Sequence, residues 1–199
     1  MNEKVELTHT SGSSIQPLLQ EVPARPLRIG VVGCGYWGPK LIRNFQALEL
    51  TQVLYACDLR QDLLAEVERA YPGIRTTTRF HDLLWSDIDA VVIATPVSTH
   101  FSLALEALEM GKHVLIEKPM ARSSDECQKL IKVAEDKRLT LMVGHTFEYN
   151  PAVVMLREII HSGEIGRVYY VSTTRTNLGL FQNDIKVVWD LSPNDLSIL

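Results

Sequence analysis

The sequence has few cysteines, and none of them stand at the spacing of a metal site. Three occur among 199 residues, at Cys34, Cys57 and Cys127. They are too few and too scattered for a disulfide framework or for a CxxC metal site. This composition suits a reducing compartment, so we expect a cytoplasmic protein that binds no metal.

Concentrated positive charge and long apolar segments are also missing. The formal net charge is -4 at pH 7, and no block of Lys and Arg occurs, which argues against nucleic acid or an anionic membrane surface as a partner. Residues 1–26 have neither the apolar region of a signal peptide nor the length of a membrane span. They predict a flexible polar N-terminal arm, which either binds a partner or is simply an untied end of the domain.

Short apolar runs rich in β-branched residues alternate with helical patterns from Leu27 onward. The runs are continuously apolar, as expected when helices cover both faces of a parallel sheet. This alternation predicts the α/β class. The predicted strands are 27–33, 52–58, 89–95, 113–118 and 139–145.

Capping signals predict where several helices begin and end. A helix over 98–110 ends before Gly111, and Ser123 with Glu126 forms a capping box for a helix that runs to about residue 138. Asn150 and Pro151 are an N-cap and an N1 proline, and Gly163 closes the helix that they start.

The pattern changes after Gly166. Residues 167–179 predict a longer strand with polar alternation in its second half, followed by a loop that leads to Trp189. We therefore predict one domain over residues 27–149 and the beginning of a second domain over residues 150–199.

The first strand leads directly into a G-x-G-x-x-G segment that opens a helix. Gly33 permits a tight turn, Gly35 lets the backbone approach a pyrophosphate, and Gly38 lets the helix pack closely on the strand, with Tyr36 and Trp37 in between. Backbone N–H groups at the start of that helix attract phosphate. The alternative is a glycine turn in an α/β protein that binds no nucleotide.

An acid at the end of the second strand supports the nucleotide interpretation. Asp58 follows Gly38 by twenty residues, the position from which a carboxylate binds the hydroxyl groups of the adenine ribose. An acid there repels a 2′-phosphate and favours NAD. Arg60 leaves NADP open, because an arginine nearby accommodates that phosphate.

Two further strand ends carry polar side chains that face the same edge of the sheet. Thr95, Pro96 and His100 follow the third strand, and Glu117, Lys118 and Pro119 follow the fourth. Pro119 keeps Lys118 extended, and its amine is a candidate for proton transfer. The alternative is a solvated ion pair of Glu117 and Lys118.

Five motifs together resemble a known family. They are "GVVGCGYWG", "ATPVSTH", "EKPMA", "GHTFEYNPAV" and "WDLSPNDLSI", in the order and approximate spacing of the glucose–fructose oxidoreductase, inositol dehydrogenase and rhizopine-catabolism (Gfo/Idh/MocA) oxidoreductases. The resemblance covers about residues 27–199. It implies a doubly wound Rossmann sheet that binds NAD or NADP, followed by an α/β substrate domain.

The resemblance also implies an activity and roles for particular residues. The activity is oxidation of a secondary hydroxyl of a sugar, nucleotide sugar or cyclitol, and one branch acts at C3 of UDP-N-acetylglucosamine. Lys118, beside a proline that is often cis in the family, would hydrogen-bond the reacting hydroxyl. The residues that would contact the cofactor are Gly33, Gly35, Tyr36, Trp37, Gly38, Asp58, Thr95, Pro96, His100 and Glu117.

The last motif departs from the family pattern. The family commonly has an Asp and a His four residues apart, the His acting as general acid and base, where this chain has Asp190 and Asn194. An amide hydrogen-bonds a sugar hydroxyl but takes up no proton at physiological pH. Either a base has been lost, or Asn194 merely follows a helix start with Ser192 as N-cap and Pro193 at N1.

The length of the chain raises a second alternative. A complete substrate domain needs on the order of another hundred residues, so we expect an amino-terminal fragment whose longer form would be the oligomer. One hypothesis is a sugar or nucleotide-sugar dehydrogenase. The other is a dinucleotide-binding module without catalysis, or an inactive remnant.

Overall fold

The computed structural model describes residues 25–174 and 186–199. Predictions for residues 1–24 of the N-terminal arm and for residues 175–185 lie outside this part of the chain. Six strands are found within it: β1 (Leu27–Val32), β2 (Thr51–Cys57), β3 (Arg75–Thr77), β4 (Ala90–Ile93), β5 (His113–Ile116) and β6 (Leu141–Val143).

Seven α-helices and one short 3-10 helix connect or follow these strands. The 3-10 helix is Thr146–Tyr149. The α-helices are α1 (Gly38–Gln46), α2 (Gln61–Ala70), α3 (Phe80–Leu84), α4 (Val97–Glu109), α5 (Ser124–Lys137), α6 (Pro151–Ser162) and α7 (Val187–Leu196). None of the helices in these described ranges is long and apolar enough to cross a membrane.

The strands form a single parallel sheet in the order β3-β2-β1-β4-β5-β6. This is the doubly wound arrangement, in which strands are added on one side of β1 as far as β3 and then, from β4 onward, on its other side. The predicted α/β class and sheet type are confirmed. All five predicted strands form. The sequence prediction missed β3, whose three residues are too short to leave a periodic apolar pattern.

Two apolar cores cover the two faces of the sheet. On one face, α1 and α2 bury Ile42, Leu64 and Val67 against strand residues such as Val31. On the other face, α3, α4 and α5 pack against strand residues such as Ile93. Burial on both faces explains why the strands are continuously apolar rather than alternating.

Most of the predicted helix ends are confirmed. The hydroxyl of Ser123 accepts the N–H of Glu126 at the start of α5, and the side chain of Asn150 accepts the N–H of Ala152 at the start of α6. Gly163 ends α6 in the left-handed region, with φ of 76°. Local capping chemistry is therefore enough to place these boundaries.

Two predictions after residue 166 are wrong. Residues 167–174 form no strand and are all exposed, because a strand exists only through pairing and no strand in the described ranges lies beside them. The helix predicted to start at Ser192 instead starts at Val187, so Pro193 lies inside α7. Contacts of the first turn of α7 with the rest of the protein, described below, stabilise this earlier start.

Candidate active site

The loops with predicted functional residues lie along one edge of the sheet. They follow β1, β4 and β5, which are neighbours in a parallel sheet and therefore end on the same side. This is the edge at which open α/β sheets bind their ligands. The switch in strand order between β1 and β4 places the glycine loop beside the Thr95 loop.

The geometry of the glycine loop requires glycine at two positions. Gly33 has φ of 91°, and a side chain there would also collide with the backbone of Ala94. A Cβ atom on Gly38 would overlap the carbonyl oxygen of Gly33. Gly35 is different: apart from its own atoms and those of its chain neighbours, no atom of the described residues lies within 4 Å of the Cβ position. The protein thus leaves open, above Gly35, the space that a pyrophosphate needs.

Asp58 is tied to the glycine loop by its carboxylate. The N–H of Cys34 donates to Oδ2 at 2.7 Å, and the N–H of Arg60 donates to Oδ1 at 2.9 Å. Each oxygen retains a lone pair for a further donor, and the side chain is only partly buried. Asp58 therefore shapes the loop and keeps acceptor positions for a ligand at this edge, while its contact with ribose hydroxyl groups stays a prediction.

The guanidinium group of Arg60 is held by a neighbouring acid. Its Nε donates to Asp62 Oδ1 at 3.2 Å, and a second N–H donates to the other carboxylate oxygen. Both side chains are exposed, about two-thirds of each being accessible to solvent. A cation that could attract a 2′-phosphate is thus partly neutralised by a carboxylate of this chain.

His100 links two of the site loops from beneath. Its Nε2 lies 2.8 Å from the carbonyl oxygen of Thr95 and its Nδ1 lies 2.9 Å from that of Pro119. The residue is only 1% exposed. Its ring therefore positions the loops after β4 and β5, and direct contact with a cofactor stays a prediction.

The hydroxyl groups of the Thr95 loop form their own network. Thr99 donates to the hydroxyl of Thr95 at 2.7 Å or to the carbonyl oxygen of Pro96 at 2.8 Å. Thr95 is partly exposed and Pro96 is exposed, so both remain accessible to a ligand at this edge.

Lys118 and Asp190 form the most enclosed ion pair at this edge. The ammonium of Lys118 donates to Oδ1 of Asp190 at 2.8 Å and to its backbone oxygen at 3.0 Å. The side chains are 19% and 14% exposed. The Lys118–Pro119 peptide bond is cis, as the family resemblance implies.

Lys118 does not form the solvated ion pair with Glu117 that was the alternative prediction, because its ammonium pairs with Asp190. Burial raises the pKa of the Glu117 carboxyl group, against the smaller opposing influences of the N–H and charge of Lys118. A Cβ atom on Gly144 would lie 3.3 Å from the carboxylate, so the absence of a side chain there leaves room for it.

Two site residues escaped prediction from the sequence. Trp189 donates its indole N–H to the carbonyl oxygen of Ala121 at 2.9 Å, next to the ion pair. His145 follows β6 at the same edge, and its buried Nδ1 has no hydrogen-bond partner within the described ranges. The signal in the sequence that could have identified His145 was its place at the carboxyl end of the predicted strand 139–145. Asn194, one helical turn after Asp190, is 7% exposed.

The thiol in the glycine loop is not a nucleophile. Burial raises the pKa of Cys34 to about 12, and the charges of Asp58 and Cys57 add to this effect. The reactive thiolate form is therefore scarce at neutral pH. Within the described ranges no group of three or more metal-ligating side chains occurs.

The arrangement of these residues suits a dinucleotide cofactor. The space above Gly35, the free lone pairs of Asp58 and a lysine at the adjacent strand end fit a pyrophosphate, a ribose and a reacting group respectively. Fold and site together define an NAD-binding domain of an oxidoreductase.

Comparison with known proteins agrees with this class. Residues 27–145 match the family model described as the oxidoreductase family with an NAD-binding Rossmann fold, GFO_IDH_MocA. The chain belongs to the Gfo/Idh/MocA family of oxidoreductases.

Two of the similar proteins are named for the sugar compounds on which they act. UDP-N-acetylglucosamine 3-dehydrogenase of Acidithiobacillus ferrooxidans is 33% identical over 180 residues, which are 86% of this chain and 53% of that protein. Levoglucosan dehydrogenase of Pseudarthrobacter phenanthrenivorans is 30% identical over 71% of this chain and 39% of that protein. The chain thus spans about half the length, or less, of these curated relatives.

A solved structure shows the same fold with ligands. The WlbA dehydrogenase of Bordetella pertussis, in complex with NADH and UDP-GlcNAcA, has 30% identity and a TM-score of 0.69 over 73% of this chain and 42% of that one. NAD is accordingly the cofactor of this fold and site.

Proposed function

We propose that this protein is an NAD-dependent oxidoreductase that moves a hydride between nicotinamide and a secondary hydroxyl carbon of a sugar or nucleotide sugar. The observation that carries the proposal is the Lys118–Asp190 pair at the carboxyl edge of the sheet, on the strand next to β4. A lysine amine, an acid that orients it and a dinucleotide loop are the parts that such a reaction requires.

Each residue has a distinct part in the proposed reaction. NAD, when bound, accepts the hydride from the carbon. Lys118 hydrogen-bonds the oxygen of the same carbon, and its amine takes up the hydroxyl proton as the hydride leaves and the carbonyl forms. Asp190 orients the amine through its carboxylate and its backbone oxygen. Asn194 offers a hydrogen bond to a neighbouring sugar hydroxyl but takes up no proton.

The particular substrate that we propose is a UDP-N-acetylglucosamine-type sugar oxidised at C3. The similarity to a UDP-N-acetylglucosamine 3-dehydrogenase and to a structure with UDP-GlcNAcA supports this choice. The family-model match over residues 27–145 includes both the glycine loop and the Lys118 loop.

One observation favours a second candidate function, a dinucleotide-binding module without catalysis. Asn194 occupies the place where the family commonly has a histidine, and it is buried. Helix α6, the first helix of the predicted second domain, has no buried residue, so it contributes no core within the described ranges.

A direct assay separates the two candidates. NADH formation is followed by absorbance with NAD and a panel of UDP-N-acetylglucosamine, its uronic acid, levoglucosan and inositol, while NADH binding is titrated by fluorescence. Turnover of a UDP-sugar that is lost in Lys118→Met supports the enzyme. NADH binding without turnover of any sugar supports the module, and absence of NADH binding contradicts both.

A further inference from the structure

The glycine loop has two exposed aromatic rings and a lysine that folds back over them. Tyr36 is 62% exposed and Trp37 is 46% exposed, and their rings meet edge to face with centroids 5.2 Å apart. The ammonium nitrogen of Lys40 lies 3.2 Å from the centroid of Tyr36 and 4.5 Å from that of Trp37. Two cation–π contacts thus hold a positive charge against this loop.

The backbone at the start of α1 offers little to an anion. Pro39 has no N–H. The N–H groups of Lys40 and Leu41 both donate to the carbonyl oxygen of Trp37 at 3.0 Å. The bond of Leu41 is the ordinary first i→i−4 bond of a helix. The missing N–H of Pro39 and the engaged N–H of Lys40 nevertheless remove two of the donors that usually bind phosphates at this position.

The charge of Lys40 is also on the unfavourable end of the helix. It is the third residue of α1, whose first turn contains no acid. A cation there is repelled by the positive end of the helix dipole. A bound phosphate makes this arrangement favourable, because the helix end and the ammonium then both attract the same anion.

We propose that Lys40 is a pyrophosphate-binding residue of the NAD site, positioned by the rings of Tyr36 and Trp37. This inference rests on the proposed function, because it requires that the loop binds a dinucleotide. The ammonium group supplies charge and hydrogen-bond donors that compensate for the N–H missing at Pro39 and for the one engaged at Lys40. The aromatic pair limits the rotamers of Lys40, so little entropy is lost when phosphate binds.

The test compares two single charge removals on the same helix. NADH affinity is titrated by fluorescence at several NaCl concentrations for the natural protein, Lys40→Met and Arg43→Met, the control one turn further along α1. We expect Lys40→Met to weaken NADH binding about tenfold at low salt, the effect of one lost charged hydrogen bond. Its affinity should also depend less on NaCl, while Arg43→Met stays within twofold of the natural protein.

Ligand fragments and stability locate the effect. ADP, which keeps the diphosphate, should lose affinity by the same factor as NADH, whereas adenosine should not. Thermal unfolding of Lys40→Met without ligand should occur at nearly the same temperature, because the loss of two exposed cation–π contacts offsets the removal of a cation from the positive end of the helix. Weaker binding with undiminished stability excludes misfolding as the cause.

Several results would overturn the inference. Equal NADH affinity of Lys40→Met and Arg43→Met contradicts it, and so does an equal loss with adenosine. Absence of NADH binding by the natural protein contradicts the proposed function itself. The two failures are therefore distinguishable.

Discussion

The ammonium nitrogen of Lys118 lies 2.8 Å from a carboxylate oxygen of Asp190, 72 residues further along the chain. A second bond, to the backbone oxygen of Asp190, and the indole bond of Trp189 to Ala121 stand beside it. These contacts fasten the first turn of α7 to the loop after β5. A helix outside the sheet thereby contributes directly to the site at the sheet edge.

Loss of this ion pair should destabilise the protein more than loss of a surface pair. Asp190→Leu leaves the shielded ammonium of Lys118 without its carboxylate, and we expect the free energy of unfolding to fall by about 2 kcal/mol. Asp136→Asn, which breaks the exposed pair with Lys132, should cost less than about 0.5 kcal/mol. Urea unfolding followed by tryptophan fluorescence measures both, and equal losses would show that the Lys118 pair contributes no more than a surface contact.

The carboxylate of Asp58 should be required for NADH affinity. In Asp58→Ala the ribose loses its acceptor and the N–H of Cys34 loses its partner, so we expect binding to weaken about tenfold. Asp58→Asn keeps one acceptor oxygen and should bind at an intermediate level. Fluorescence titration with NADH gives the affinities, and an unchanged value in Asp58→Ala means that the ribose binds elsewhere.

Release of Arg60 should improve binding of NADPH. Asp62→Asn removes the charge that pairs with the guanidinium, which then becomes free for a 2′-phosphate. Because the pair is exposed, we expect only about a threefold gain in NADPH affinity with NADH affinity unchanged. Glu66→Gln, a charge removal on the same helix with no bond to Arg60 among those described, is the control. A gain of the same size in both variants would point to general charge rather than to Arg60.

Restoring a histidine should reveal whether a base is missing. In Asn194→His an imidazole would stand one helical turn from Asp190, and a positioned base is worth about two to four orders of magnitude in rate. Because Lys118 takes up the proton in the proposed reaction, we expect turnover of the UDP-sugar to stay within about tenfold, whereas a rise of about a hundredfold or more would show that a base has been lost. Unchanged turnover in a variant that still folds and binds NADH would leave Lys118 or another residue as the base.

The charge of Asp89 should make stability depend on pH. Two N–H groups of Arg25, at 2.6 and 2.8 Å, and the N–H of Arg28, at 2.9 Å, hold the pKa of this carboxyl well below its usual range. A lowered folded-state pKa means that the stabilisation is complete above the unfolded pKa of about 3.9 and is lost as pH falls below it.

The measurement for Asp89 is urea unfolding at pH 7, 4 and 3. We expect Asp89→Asn to lower the free energy of unfolding by about 2 kcal/mol at pH 7, with a smaller gap at pH 3. Asp87→Asn, whose carboxylate also pairs with Arg28 but is 82% exposed, should show little difference at any pH. A gap for Asp89→Asn that is the same at all three pH values would contradict a role for its charge.

Local signals allowed prediction of most of the sheet and its caps. Continuous apolar runs identified five strands, and Ser123, Asn150 and Gly163 identified helix ends, since each of these depends on chemistry within a few residues. β3 was missed because a strand of three residues is too short to show an apolar pattern. The strand predicted over 167–174 was wrong because pairing depends on a neighbour that a local pattern does not contain.

The start of α7 is a second feature that local sequence signals did not predict. Ser192 and Pro193 look locally like a helix start, yet the helix begins at Val187. Bonds of Trp189 and Asp190 to the distant Lys118 loop stabilise a first turn that lies before these signals. Tertiary contacts thus outweighed a capping pattern that is worth only about 1 kcal/mol.

The sequence by itself determined the sheet, the glycine loop and the chemical types of the site residues, because apolar patterns and backbone conformational requirements depend on residues that are neighbours in the chain. Only the tertiary structure decided which of them meet. It paired Lys118 with Asp190 rather than with Glu117 and buried His100 between two loops. Such choices depend on distances between residues far apart in the chain, which parallel strands ending at one edge bring together.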